Sequence, residues 1–290
     1  MKHYFLTLIA LLPLLHFSQP NTDVFLFDLN TEKGGFELSN MKNISDNIGY
    51  DNQPSFMDNN TILFAGTRNG QTDIVKYTIN YDSKIWINHT EEGSEYSPLK
   101  IPNQSAVSAI RLDKDGKQAL YKYNLRNGES EVLVDDIIIG YHVWFNDNIL
   151  VSAVLEDGGL SLFSTNFKEQ KNYNLQDNIG RSLHKIPNSD LVSYISKEND
   201  SLWEIKSVNP VSGITKSITV TLPESEDMCW LPNGTILIGK DDVLYKYNPK
   251  TDVSWIEVAS LKEYGITNIT RLVVNSDTTK LALVDEIDKK

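Results

Sequence analysis

The chain has 290 residues, with 27 Lys or Arg against 39 Asp or Glu, so its formal net charge is -12 and its pI about 4.9. That balance argues against nucleic acid and against an anionic membrane surface, because both attract basic patches. The single cysteine, Cys229, rules out an intrachain disulfide and a cysteine-based zinc site.

Residues 1–18 read as a signal peptide. Lys2 and His3 form a weakly basic start, Tyr4 to Leu15 an apolar run, and Ser18 a small residue before a candidate cleavage point. The run is shorter than the ~20 apolar residues that cross a membrane. No later segment reaches that length, so no membrane insertion is expected. Residues 19–290 are expected to form one domain, monomeric, and periplasmic or secreted.

The mature chain then repeats one phrase: a polar lead-in, a short apolar strand, a turn, a second apolar strand. The turns are Asp58-Asn59, Pro102-Asn103, Asn146-Asp147, Pro187-Asn188, Pro232-Asn233 and Ser276-Asp277, spaced by 44, 44, 41, 45 and 44 residues. Their side chains cap their own backbone or preset the bend. In the first full unit the strand candidates are Pro54–Met57, Thr61–Ala65, Asp73–Ile79 and Ile85–Asn88. The third of these is rich in β-branched and aromatic residues, as are its counterparts Gln118–Tyr123, Leu160–Ser164, Leu202–Val208 and Val243–Tyr247. Asn69-Gly70 and Asn127-Gly128 stand where hairpins should close. No segment carries a long 3.6-residue apolar period, so little helix is expected. Four short strands per unit of about 44 residues is the pattern of a propeller blade.

After the sixth turn only one clear strand remains, Lys280–Val284, while two strands, Asp23–Leu29 and Phe36–Met41, precede the first full unit. Two strands from each end complete one shared blade. The expected fold is therefore all-β, a six-bladed β-propeller whose last blade joins residues of about 23–41 to residues of about 267–285. Closure removes the exposed edges of an open array.

The sixth unit, Ile269 to Val284, resembles the WD40-like (PD40) repeat of the TolB propeller family. Gln53-Pro54-Ser55-Phe56 carries the first half of that family's unit, and Leu231-Pro232-Asn233-Gly234-Thr235-Ile236-Leu237 the second. The resemblance covers essentially the whole mature chain and implies the propeller fold. TolB itself carries a separate N-terminal domain for which this chain leaves no room, so membership of the Tol–Pal envelope system is not expected. Related propellers are also fused to serine peptidases, but no Gly-x-Ser-x-Gly elbow occurs here.

In a propeller the first strand of each blade lines the central channel, and the residues leading into it rim one mouth. Blade by blade that rim reads Asp51-Asn52-Gln53, Glu95-Tyr96-Ser97, Gly140-Tyr141-His142, Gly180-Arg181-Ser182, Ser225-Glu226-Asp227 and Ile269-Thr270-Arg271. A lead-in needs only turn formers, so bulky mixed charges from six blades point to a binding site. Asp51, Glu95, Glu226 and Asp227 are its acids. Arg181 and Arg271 suit a carboxylate or phosphate, and Tyr96 and Tyr141 suit a ring or sugar face. Asn52, Gln53 and Ser182 complete the candidate binding set. The bland alternative is a solvated rim of structural ion pairs.

Two functions follow. The first is an exported binding or scaffolding protein that holds a peptide, a protein partner or a small polar ligand at this mouth. The second is a hydrolase or lyase with His142 as acid/base, Arg181 and Arg271 as anion holders, and Glu95 or Asp227 as orienter. No phosphate-cradling or dinucleotide motif is present, and no cofactor is expected. A divalent cation held by His142 with Glu95 or Asp227 is the alternative. The five tryptophans read as blade packing, and Asn43-Ile44-Ser45 and Asn88-His89-Thr90 as chance glycosylation triplets.

Overall fold

Asn69 and Gly70 adopt φ of +52° and +77°, and Arg68 pairs with Gln71 across them. This is the two-residue hairpin whose twist matches that of its strands. Two-residue connections recur at the same place in blades three and five, where Glu156 pairs with Gly159 and Lys240 with Val243, while blades two and four use longer loops. The computed structural model describes residues 19–32 and 35–287, so the signal peptide read over 1–18 lies outside the described residues. Six four-stranded antiparallel sheets make a six-bladed propeller.

The inner strands are Asn52–Asp58, Gly93–Lys100, Ile139–Trp144, Ile179–Lys185, Met228–Trp230 and Ile269–Val274, for blades one to six. Each is followed by the turn that the 44-residue spacing marks. Among the described residues, helix is confined to short 3-10 turns such as Ile79–Tyr81 and Lys262–Tyr264. No helix among the described residues is long and apolar enough to cross a membrane.

Blade six is the split one. Its sheet runs Glu37–Asn43, Thr22–Asn30, Lys280–Glu286, Ile269–Val274 from rim to channel. The seam pairs Thr22 with Glu286 through to Asp28 with Lys280, so the two ends of the described chain close the ring.

The core lies between blades rather than within them. Period-two alternation sends neighbouring residues of one strand to opposite faces. In the second strand of blade one, Ile62 and Phe64 pack against Val24, Leu26, Ala282 and Val284 of blade six. Leu63, between them, packs against Val107, Ala109 and Tyr123 of blade two. Both faces are buried, which is why these strands read as continuous apolar runs.

Two of the tryptophans do more than fill space. Trp144 Nε1 donates to Ser108 Oγ and Trp230 Nε1 to Ser193 Oγ, each at 2.8 Å. Each bond ties an inner strand to the second strand of the preceding blade. Cys229 is buried, and burial pushes its thiol up to about 12.

Candidate functional site

Counting five residues back from each turn gives Gln53, Ser97, Tyr141, Ser182, Asp227 and Arg271. All six line one cavity of about 180 Å³ at the channel mouth. Each blade contributes one side chain at the same register, so this ring is built by the repeat itself. The far end of the channel, at the turns, is wider, about 600 Å³, and is lined partly by Phe56, Ile186 and Trp230.

The charge in the mouth comes from blades four to six. Asp227 accepts from Arg181 Nε at 3.2 Å and Nη2 at 2.5 Å, and from Arg271 Nη1 at 2.8 Å. Glu226 accepts the Arg181 backbone N–H at 3.0 Å and lies 3.1 Å from Lys197 Nζ. Burial works against the Arg181 charge, but Asp227 and Glu226 outweigh it and hold the guanidinium above the usual arginine range. The Arg271 guanidinium carbon sits 5.8 Å from the centre of the Tyr141 ring. Arg181, Glu226 and Asp227 also line a polar groove of about 280 Å³ between blades five and six, so the mouth extends sideways.

His142 lines the cavity yet is only 5% exposed. Its Nε2 pairs with Ser108 Oγ at 2.8 Å, the same hydroxyl that receives Trp144, and its Nδ1 has no partner. Burial lowers its pKa to about 3, so the ring is neutral at physiological pH. His184 is likewise lowered to about 4 by burial, and its Nε2 pairs with Ser182 Oγ at 3.1 Å. Among the described residues no group of three or more His, Cys, Asp and Glu stands ready to hold a metal ion.

Asp51, Asn52, Glu95 and Tyr96 do not line this cavity. Glu95 is fully buried between blades one and two. It accepts from Asn88 Nδ2 at 2.7 Å, Thr90 Oγ1 at 2.7 Å and Tyr123 Oη at 2.8 Å. Burial raises its pKa against those three bonds. Asn88 also donates to Asp73 at 3.0 Å. Asn43-Ile44-Ser45 repeats this lock one blade earlier, with Asn43 Nδ2 and Ser45 Oγ both on Asp23 at 2.8 Å. The Asn-x-Ser/Thr triplets thus have a structural use at blade seams.

Asp51 is the register equivalent of Glu95, 44 residues earlier. It is one methylene shorter. Its Oδ1 accepts the Thr67 N–H at 2.9 Å, but its buried Oδ2 has no hydrogen-bond partner. Burial raises its pKa to about 6. Asn52 is buried beside it and donates to Thr22 Oγ1 at 3.2 Å. Tyr96 stays on the mouth's outer lip, receiving Gln19 Nε2 at 3.0 Å and meeting Tyr50 edge-on at 5.9 Å.

A kink separates the two kinds of lead-in residue. Gln53 and Ser97 sit in the left-handed region, at φ of +57° and +50°, just before Pro54 and Pro98. The strand register shifts at both points. A non-glycine residue there costs roughly 1 kcal/mol, and such strain persists where the surroundings fix it. Gln53 Oε1 accepts the freed Ser97 N–H at 2.7 Å, which joins blades one and two at the mouth. Tyr50, which meets Tyr96 edge-on, stands beside the mouth without lining the cavity. It lies within electrostatic reach of Arg271, Tyr141, Arg181 and Tyr96, and burial pushes its phenol up to about 12. Its adjacency to Asp51 was its only signal in the sequence.

No protein-family model and no curated protein matches the chain. Solved structures do match it in fold. A protein described as a TolB from Agrobacterium tumefaciens superposes with a TM-score of 0.72 at 11% identity, over 93% of this chain and 100% of that one. An oligogalacturonate lyase in complex with manganese gives 0.59 at 12%, over 91% and 86%. A chain of a nidogen/laminin complex gives 0.62 at 10%, over 91% and 98%. The architecture is therefore that of TolB-like six-bladed propellers.

Proposed function

We propose that this chain is an exported binding or scaffolding protein whose channel mouth holds a peptide, a protein partner or a small polar ligand. The observation that carries the reading is the convergence of Arg181, Asp227 and Arg271 from three blades on a cavity to which all six blades contribute. Two half-buried arginines and Tyr141 line it, with the Tyr50–Tyr96 pair beside it, and Arg and Tyr are among the residue types that dominate binding hot spots. Propellers of the same fold include one found in a nidogen/laminin complex, which supports a partner-binding role by analogy of fold alone.

A lyase reading draws the same kind of support from the manganese-bound oligogalacturonate lyase. It draws less from the site itself. His142, the residue that would carry the proton, is buried on Ser108 and neutral at physiological pH. Its nearest hydrogen-bond partner is a serine rather than a carboxylate.

Site-specific photo-crosslinking in cells that make the protein tests the reading. A crosslinker at position 141 should give a discrete adduct that disappears when Arg181 and Arg271 are both changed to Gln. A crosslinker at Val253, fully exposed on the ring's outer face, should not give that adduct. An adduct at 141 that survives the double change, or one formed equally from 253, would remove the mouth from consideration.

A further inference from the structure

Asp227 is saturated within the site. Its Oδ1 receives Arg181 Nε and Arg271 Nη1, and its Oδ2 receives Arg181 Nη2. Arg181 therefore presents its Nε/Nη2 edge, the two-pronged fork of a guanidinium, to a carboxylate of its own chain. Arg271 presents only Nη1, which it shares between Asp227 and the Thr270 carbonyl at 2.5 Å. Among the described residues, the Nε/Nη2 edge of Arg271 meets no acceptor. That side chain is only 16% exposed and lines the cavity. The pair is open to the cavity, but the side chain as a whole is largely enclosed, so an acceptor that fills it gains more than it would at an open surface.

The other ring members do not compete for charge. Gln53, Ser97, Tyr141 and Ser182 are neutral, and both histidines facing the cavity are uncharged at physiological pH. A cation entering here meets two guanidinium groups and one carboxylate already satisfied. A planar anion meets an open fork with an aromatic wall beside it, since Tyr141 lies under Arg271 and Tyr50 stands within reach of both. The site already contains one example of the contact, the bidentate pair of Arg181 with Asp227.

We infer that the group taken by the mouth is a carboxylate, laid on the Nε/Nη2 edge of Arg271 beside Tyr141. This rests on the reading of the mouth as a binding site. Asp227 is a positioning residue, which steers the guanidinium edge toward the cavity through Nη1. The carboxylate is either an acidic side chain of a partner or a free small acid.

Titration calorimetry with defined probes tests the inference on the whole protein. The probes are glutarate, the capped pentapeptide Ala-Ala-Glu-Ala-Ala, and the same peptide with Gln in place of Glu. The Glu peptide should bind at least about tenfold more tightly than the Gln peptide, the size expected for one charge-assisted pair. Arg271→Gln should abolish that preference. Arg271→Lys, which keeps the charge and keeps Asp227 paired, should reduce it, because an ammonium has no fork. Binding of the Glu peptide without glutarate assigns the carboxylate to a partner, and binding of both assigns it to any small acid. Equal binding of Glu and Gln peptides, a preference that persists in Arg271→Gln, or no binding of any probe would overturn the inference. Loss of Gln-peptide binding in Tyr141→Ala would then show a mouth that binds something neutral, and the crosslinking result stands independently of all these outcomes.

Discussion

Glu95 and Asp227 are both acids leading into an inner strand, seven and five residues ahead of their turns. Glu95 is turned into the seam between blades and receives three hydrogen bonds from Asn88, Thr90 and Tyr123. Asp227 is turned into the channel mouth and receives two arginines. Both are charged lead-in residues of one repeat, yet one helps hold the ring closed and the other organises the cavity. Their difference shows that in this propeller the register within the lead-in, rather than the residue type, decides whether a charge serves the fold or the mouth. Simple alternation would put positions seven and five on the same face. In blades one and two the left-handed residues Gln53 and Ser97 break that alternation.

The comparison can be broken most forcefully at Asp227. Asp227→Asn leaves Arg271 without a carboxylate and Arg181 with only Glu226, 3.6 Å from its Nε. We expect a loss of about 3 kcal/mol in denaturant unfolding, the order seen when one partner of a buried ion pair is removed. A loss below about 0.5 kcal/mol would mean that solvent already screens the cluster.

Glu95→Gln comes next. Its amide nitrogen would face the Asn88 Nδ2 donor in one orientation, and in the other would need the Thr90 and Tyr123 hydroxyls to turn from donors to acceptors, so about 1 to 2 kcal/mol should be lost. Its counterpart should go the other way. Asp51→Asn removes a buried charge with an unpartnered oxygen and retains the acceptor for the Thr67 N–H. About 1 to 2 kcal/mol should be gained at pH 7, since each unit of pKa displacement corresponds to about 1.4 kcal/mol. The folded value of about 6 lies above the ordinary aspartate value of 3.8. The folded chain therefore binds a proton that the unfolded chain lacks between those pH values. Asp51 contributes stability that is present at low pH and lost as pH rises through about 6. The stability difference between wild type and Asp51→Asn, measured by thermal melts from pH 4 to 8, should grow over that rise. A flat difference would place Asp51 in a wetter setting than its burial implies.

The smallest effect sharpens the account of the ring rather than the mouth. Trp144→Phe keeps the stack on Phe167 and removes the bond to Ser108. About 1 kcal/mol should be lost, the worth of one neutral hydrogen bond, with no change in partner capture at position 141.

The architecture was legible because each blade closes its inner hairpin with a local turn. Asp58-Asn59 through Ser276-Asp277 announce six of them at near-constant spacing, and the leftover strands at the two ends announce the split blade. The membership of the mouth was only half legible. The spacing brings Tyr141, Ser182, Asp227 and Arg271 to one ring because they share a register. It does not show the bulges at Gln53 and Ser97, which are set by contacts between blades one and two. Nor does it show that a single methylene separates the saturated Glu95 from Asp51, whose Oδ2 has no partner. The tie between Trp144 and Ser108, like that between Trp230 and Ser193, joins residues 36 or 37 apart. It becomes visible only once the blades are stacked.

One crossed measurement addresses the division between seam and mouth directly. The mouth variant Arg181→Gln/Arg271→Gln and the seam variant Glu95→Gln are each scored for thermal stability and for adduct formation from a crosslinker at position 141. The mouth variant should stay folded and lose the adduct. The seam variant should form the adduct at the wild-type level at any temperature where it remains folded. A folded seam variant without the adduct, together with a mouth variant that retains it, would contradict the assignment.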